Sequence, residues 1–257
     1  MSPRRVLAPV AAAVVVLLVW ELGARAATLP EFVLPRPSDV LRRGLEDAPL
    51  LGPHIATTVL EAVLGLVLGA VVGLVLAVAI VVWPWLRDTV YPLVTLTQTV
   101  PTVVLAPLLI LWAGFGLLPK VLLVALTAFF PVLVACVTAM ADADGEHTDV
   151  VAGLGGRRRH ELRYVRLPAA VPGALGGLRV AATYAIGAAV VSEYLAGYAG
   201  LGVFIQHARK GYDTGAILVA VVLVAVLTGV LFLLVDAVAR LATPWRAGRP
   251  SSSRSSS

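Results

Sequence analysis

Apolar and polar stretches alternate along this chain on the length scale of membrane spans. A modest apolar run, Val6–Trp20, follows the basic start Met1–Arg5. Ala62–Trp83 carries no charge and is long enough to cross a bilayer. Tyr91–Leu118 is also uncharged, but Pro92, Pro101 and Pro107 interrupt it. Val121–Met140 follows, with Pro131 as its expected kink. Val180–Leu195 is a further run whose start extends as far back as Pro172, and Ala216–Val235 is the last. The pattern predicts an all-α membrane protein with six transmembrane helices. The first run has a second reading, since a basic start and a short apolar stretch also describe a signal peptide. No small-residue cleavage site leads into a soluble domain, which favours a membrane helix ending near Glu21–Arg25.

The polar segments divide the chain into an N-terminal helix (1–25), an extracytoplasmic loop (26–54), a core with the remaining spans (55–243) and a basic, serine-rich tail (244–257) expected to be disordered. In the loop, Pro30, Pro35 and Pro37 argue against helix, and Ser38 reads as the N-cap of a short amphipathic piece on the membrane surface. Within the spans, Gly65, Gly69, Gly73 and Ala77 recur at i, i+4 spacing, as do Gly173, Gly177, Ala181, Ala185 and Ala189. Such stripes let another helix approach closely. Thr95, Gln98, Thr99 and Thr102 fall at i, i+3, i+4 and i+7 on one predicted helical face. They suit the lining of a substrate path or hydrogen bonds between helices, and both uses fit one face.

Composition agrees with the pattern. The chain has 257 residues, 59% hydrophobic and 14% charged, against about 45–50% and about 25% in soluble domains. That much apolar surface needs a lipid bilayer as its solvent. The net charge of +5 sits in short loops between apolar runs, so membrane orientation explains it and nucleic acid does not. With a cytoplasmic N-terminus, the larger share of arginines, Arg157, Arg158, Arg159, Arg163, Arg166 and Arg179 among them, falls inside, as do both termini. The single cysteine, Cys136, lies in an apolar run and reads as a packed small hydrophobe. Neither a metal site nor a cofactor is expected.

The longest charged segment is Asp144–Pro172, on the predicted cytoplasmic side. Asp144 is placed to cap a helix with Glu146 and Asp149 in its early turn, at the positive end of the dipole. Val150, Val151 and Leu154 give that helix an apolar face, and Gly155–Gly156 ends it. Arg157–Val165 is expected to form a second short helix, stopped by Leu167–Pro168.

These residues resemble the "EAA loop" of type I ABC importer permeases: an acidic-Ala-Ala start, a glycine, then an aliphatic residue and Leu-Pro. Asp149 stands for the acid, Val150 and Val151 for the alanines and Gly155 for the glycine, while Val165, Leu167 and Pro168 close the motif. Asp144 matches a preceding acid, with Gly145 where a proline is usual, and Val-Val is bulkier than Ala-Ala. The resemblance runs from about Pro35 to Arg246, through LPRPSDVL, LLILWAGFGLLPK, AFFP, LPAAVPGALGGLRVA and SEYLAGYAGLG. These stretches look like the nitrate/sulfonate/taurine branch. YPLVTLTQTVPTVVLAPLLILWAGFGLLPK looks closer to permeases for thiamine pyrimidine precursors or riboflavin.

The resemblance implies a type I ABC importer (MetI-like) permease fold with a cytoplasmic coupling helix. It also implies an ATP-binding cassette subunit, an extracytoplasmic substrate-binding protein and a second permease copy, expected as a homodimer. The chain has no GxxxxGK[ST] phosphate loop, so ATP hydrolysis is expected in a partner and the chain is not expected to be an enzyme. Asp144, Asp149, Val150, Val151, Gly155, Arg158, Leu167 and Pro168 would carry the coupling contact, while positive-inside bias alone also accounts for Arg158. Thr95, Gln98, Thr99, Thr102 and Glu193 would line the path; Glu193, near a helix end, also reads as a solvated interface acid, the reading favoured here. A stand-alone secondary transporter is the alternative, but no inverted repeat and few central acids support it.

Overall fold

The structure is a computed structural model that describes residues 4–27, 30, 33–143, 150–151 and 153–244. Asp144, Asp149 and the 245–257 part of the tail lie outside the described residues. The described residues contain helices and no strand. In chain order these are α1 (Arg4–Ala26), α2 (Pro37–Glu46), α3 (Ala48–Val82), α4 (Pro84–Thr97), α5 (Thr102–Ala113) and α6 (Leu117–Asp142). After the polar loop come α7 (Arg158–Ala196), α8 (Leu201–Lys210) and α9 (Thr214–Ala242).

Among the described residues, α3, α6, α7 and α9 are long and apolar enough to cross a membrane. The α4–α5 pair makes a fifth such unit if its 99° bend is counted within one span. The expected six spans are therefore met by four or five on these grounds, and α1 is a 23-residue helix outside that set.

Helix α6 is the centre of the molecule, and both glycine stripes close on it. A Cβ at Gly69 would lie 2.6 Å from the Ala125 carbonyl oxygen, and one at Gly177 would lie 2.5 Å from that of Pro131. Side chains at these positions would push α3 and α7 off α6, so the stripes act through backbone approach. Val124, Ala128, Val132, Leu133, Cys136 and Met140 of α6 fill the space between, all buried.

Three local expectations need correction. The 26–54 loop is mostly helical from Pro37 on, because Pro37 occupies the first turn of α2, where its missing N–H costs nothing. Ser38 is therefore inside the helix, not its cap; Arg36 takes the cap position and Ser38 Oγ donates to Glu21 Oε1 at 2.9 Å, tying α2 to α1. Second, Leu167–Pro168 does not stop a helix. The chain makes a π-helical turn over Leu162–Arg166 and runs on to Ala196. The wider turn gives room for the proline ring and leaves no α-helical bond waiting for its absent N–H.

Third, Thr95, Gln98, Thr99 and Thr102 do not share a helical face. α4 ends at Thr97 and α5 starts at Thr102, with Pro101 between them, so the 3.6-residue period is cut. Thr95 Oγ1 donates to the Tyr91 carbonyl at 2.9 Å and Thr99 Oγ1 to that of Leu96 at 2.8 Å. Their hydroxyls bond the local backbone around the bend.

Candidate functional site

Helices α3 and α6 run parallel, with Gly65 against Val124 and Gly73 against Val132, and α7 runs antiparallel to both, with Gly173 against Ala139 and Gly177 against Pro131, so the bundle has two distinct ends. One end gathers the C-terminus of α3, the end of α6 and the 150–166 segment; the other gathers the starts of α3 and α6 and the end of α7.

At the first end, Val150 and Leu154 are exposed, Leu154 to 84%. Gly155 has φ +75°, a left-handed conformation that favours glycine. The Gly156 N–H donates to the Val151 carbonyl at 2.9 Å across this residue. That bond is the Schellman pattern that closes a helix C-terminus. The glycine pair thus turns the chain so that Val150 and Leu154 face outward while Val151 packs under Gly156. Beyond the turn, Arg158 Nη2 reaches the Val82 carbonyl at 3.4 Å, and Glu161 pairs with Arg166 at 2.6 Å. Leu167 is half-buried and Pro168 exposed in the following turn of α7.

The other end holds a buried polar cluster. Glu61 and Glu193 are each 1% exposed, Thr58 is fully buried and Lys120 is 6% exposed. Lys120 Nζ donates to Glu61 Oε1 at 2.6 Å. Glu61 Oε2 meets no donor among the described residues, and the Glu193 carboxyl lies in contact with Glu61. Glu193 Oε1 accepts from Thr58 Oγ1 at 2.7 Å and Oε2 from the Gly202 N–H at 2.8 Å. The Leu201 N–H donates to Thr58 Oγ1 at 2.9 Å and the Gly200 N–H to His54 Nδ1 at 3.0 Å. Side chains of α3 and α7 thereby satisfy successive N–H groups at the start of α8, which no bond within that helix can serve. A carboxylate there also meets the positive end of the α8 dipole.

This corrects the reading of Glu193. It is not a solvated interface acid, being 1% exposed. A helix-end position exposes an acid only if nothing folds over it, and α8 folds over this one. Glu61, Lys120, Thr58 and His54 went unrecognised as site residues. The usable signal was Glu61 itself, an acid one residue before the uncharged Ala62–Trp83 run, where an ionisable group is costly without a partner.

Outside the spans, Arg43 of α2 bonds Asp47 at 2.8 Å and Asp213 at 3.0 Å. The Asp47 hydrogen bond, with Asp213 and Asp47 charges beside it, pushes the guanidinium up from its ordinary value. Asp213 Oδ1 in turn caps α9 by accepting from the Ala216 N–H at 2.9 Å.

Residues 65–247, most of the bundle just described, match the sequence model of the family "Binding-protein-dependent transport system inner membrane component". The chain belongs to this family. The riboflavin transport system permease protein RibX of Chloroflexus aurantiacus is 38% identical over 233 residues, 90% of this chain and 87% of that protein. The formylaminopyrimidine transport permease protein ThiX of Halalkalibacterium halodurans is 26% identical, covering 90% of this chain and 92% of its own. The taurine transport system permease protein TauC of Escherichia coli is 28% identical, covering 94% and 90%. The fold is that of a solved MetNI methionine ABC transporter chain in an inward-facing conformation, with a TM-score of 0.65 at 19% identity over 75% of this chain and 95% of that one. This family member is an ABC importer permease, a multi-pass membrane protein, and its relatives are transport proteins, not enzymes.

Proposed function

We propose that this permease forms the membrane path of an importer driven by a separate ATP-binding cassette subunit, which grips the exposed turn at 150–155. The observation that carries this reading is the knob made by Val150, Leu154 and the left-handed Gly155, an apolar exposed turn at one end of an otherwise membrane-embedded bundle. Asp144 and Asp149 begin the same coupling element, Val151 packs its inner side, and Arg158, Leu167 and Pro168 join it to α7. Helix α1 supplies the first of six spans, α4–α5 is the third, and both termini face the cytoplasm with the knob. The buried cluster around Glu193 then lies at the extracytoplasmic end, where a substrate-binding protein delivers its cargo. A second copy of the chain completes the path as a homodimer, with exposed Leu111 and Trp112 of α5 among the apolar surface available to it.

The substrate we favour is a planar heteroaromatic solute, riboflavin before a thiamine pyrimidine precursor, because the riboflavin permease shares 38% identity, against 26% for the formylaminopyrimidine permease and 28% for the taurine permease. A sulfonate, taurine or nitrate is the second candidate. A stand-alone secondary transporter is not favoured: of the buried acids that such coupling would use, Glu193 holds α8 and Glu61 pairs with Lys120. The test is co-expression with a candidate ATP-binding cassette subunit from the same organism. The wild-type chain should retain the ATPase through purification and Gly155→Asp should lose it together with uptake; uptake that persists without any ATPase would refute the reading.

A further inference from the structure

A cavity of about 240 Å³ opens beside the π-helical turn, between the end of α3 and the start of α7. Its lining joins two unlike chemistries: Val81, Val82 and Leu162 form apolar walls, and Arg158, Arg159 and Arg166 form a cationic rim. Glu161 offsets Arg166 through their 2.6 Å pair. Arg158 reaches only a backbone carbonyl. Arg159 is exposed and makes no hydrogen bond or ion pair with the described residues. The cavity therefore keeps an excess of positive charge over an apolar floor. Trp83 and Trp85, 53% and 63% exposed, follow directly on the Val82 wall. Exposed tryptophans at the end of a span sit at headgroup depth in a bilayer, which sets the cavity at the same level.

We propose that this cavity binds an anionic phospholipid, with the phosphate on Arg158 and Arg159 and the upper part of an acyl chain against Val81, Val82 and Leu162. A soluble anion would be served by the guanidiniums alone and gains nothing from the apolar wall. A neutral lipid would fill the wall and leave the charge unbalanced. Only a ligand with an anionic head and an apolar chain uses both parts of the lining, and basic pockets between membrane helices favour such headgroups. The site lies where the coupling segment enters α7, so the lipid would brace the helix that carries motion from the knob into the bundle. The inference rests on the membrane-permease reading for its setting, but its test reads lipid binding and does not require transport.

The full-length chain, purified with its ATPase partner, is exchanged into detergent carrying phosphatidylglycerol or phosphatidylcholine. Retained lipid is read by native mass spectrometry, with inorganic phosphate as competitor. Phosphatidylglycerol should be retained over phosphatidylcholine. Arg159→Gln should lower that retention about fivefold, the equivalent of about 1 kcal/mol per basic residue at a charged membrane surface. Arg159→Lys should keep most of it, and neither variant should change the melting temperature. Equal retention of the two lipids, or unchanged retention in Arg159→Gln, overturns the proposal. Displacement by inorganic phosphate at matched concentration would assign the site to a free anion instead. Unchanged lipid with loss of the ATPase in Arg159→Gln would assign the rim to the ATPase, and either result also overturns it.

Discussion

The carboxylate of Glu193 accepts the backbone N–H of Gly202 at 2.8 Å, so an acid at the end of α7 caps the helix that follows it. The same carboxylate takes the Thr58 hydroxyl, which itself holds the Leu201 N–H. Helix α8 is thus fixed to α3 and α7 at once. Glu193→Ala removes the acceptor of two buried donors and is expected to destabilise the protein by about 2–6 kcal/mol, at about 1–3 kcal/mol for each donor left unpaired. Glu193→Gln keeps one acceptor and should cost clearly less. Thermal unfolding in detergent compares the two, and equal melting temperatures for Glu193→Ala and wild type would remove α8 capping from the account.

Gly200 sits against that carboxylate with φ +114°, and a Cβ there would overlap the Glu193 side chain. Gly200→Ala therefore meets both backbone strain and a steric clash, and should destabilise more than Gly187→Ala, where the added Cβ meets nothing within 4 Å. The melting temperatures of the two glycine variants test this.

Lys120 and Glu61 form a buried ion pair at 2.6 Å. Lys120→Met leaves Glu61 buried without its cation and is expected to cost about 3–5 kcal/mol. The double variant Lys120→Met/Glu61→Gln should recover much of the loss, because the uncompensated charge is gone. Additive losses in the double-mutant cycle would show that the pair is not coupled.

Residue by residue, the sequence was most legible where one helix decides the outcome. The uncharged runs placed α3, α6 and α9, and the small-residue stripes marked the faces of α3 and α7 that close on α6. Gly155 was readable as a turn because only its neighbours are involved. The misreadings share a different cause. The Thr95–Thr102 face assumed an unbroken period across Pro101, but the backbone bends there. Leu167–Pro168 was read as a stop because a π turn leaves no mark in a hydrophobic pattern. Glu193 bonds Thr58 across a separation of 135 residues, and Glu61, on the same helix as Thr58, and Lys120 of α6 complete the cluster. No local pattern reports a partner that only the tertiary fold brings near.

The glycine stripes make a sharper claim than close packing in general. Gly177→Leu would force α7 away from the Pro131 carbonyl and should abolish stable expression. Gly176→Leu, one position earlier and with open space around its Cβ, should be tolerated. Fluorescence size-exclusion profiles of tagged variants distinguish them.

In the proposed importer the turn at Leu154–Gly155 meets a separate ATPase. Cys136 is fully buried and its thiol is shielded from reagents in the intact fold, so a single Leu154→Cys substitution creates one reactive site on the 84% exposed tip. Site-directed cross-linking of that variant in membranes containing the ATPase subunit is the most direct measurement. A permease–ATPase cross-link is expected, with a yield that changes when ATP is added. A cysteine at position 154 that reacts freely with water-soluble reagents, yet never cross-links to an ATPase in transport-competent membranes, would contradict it.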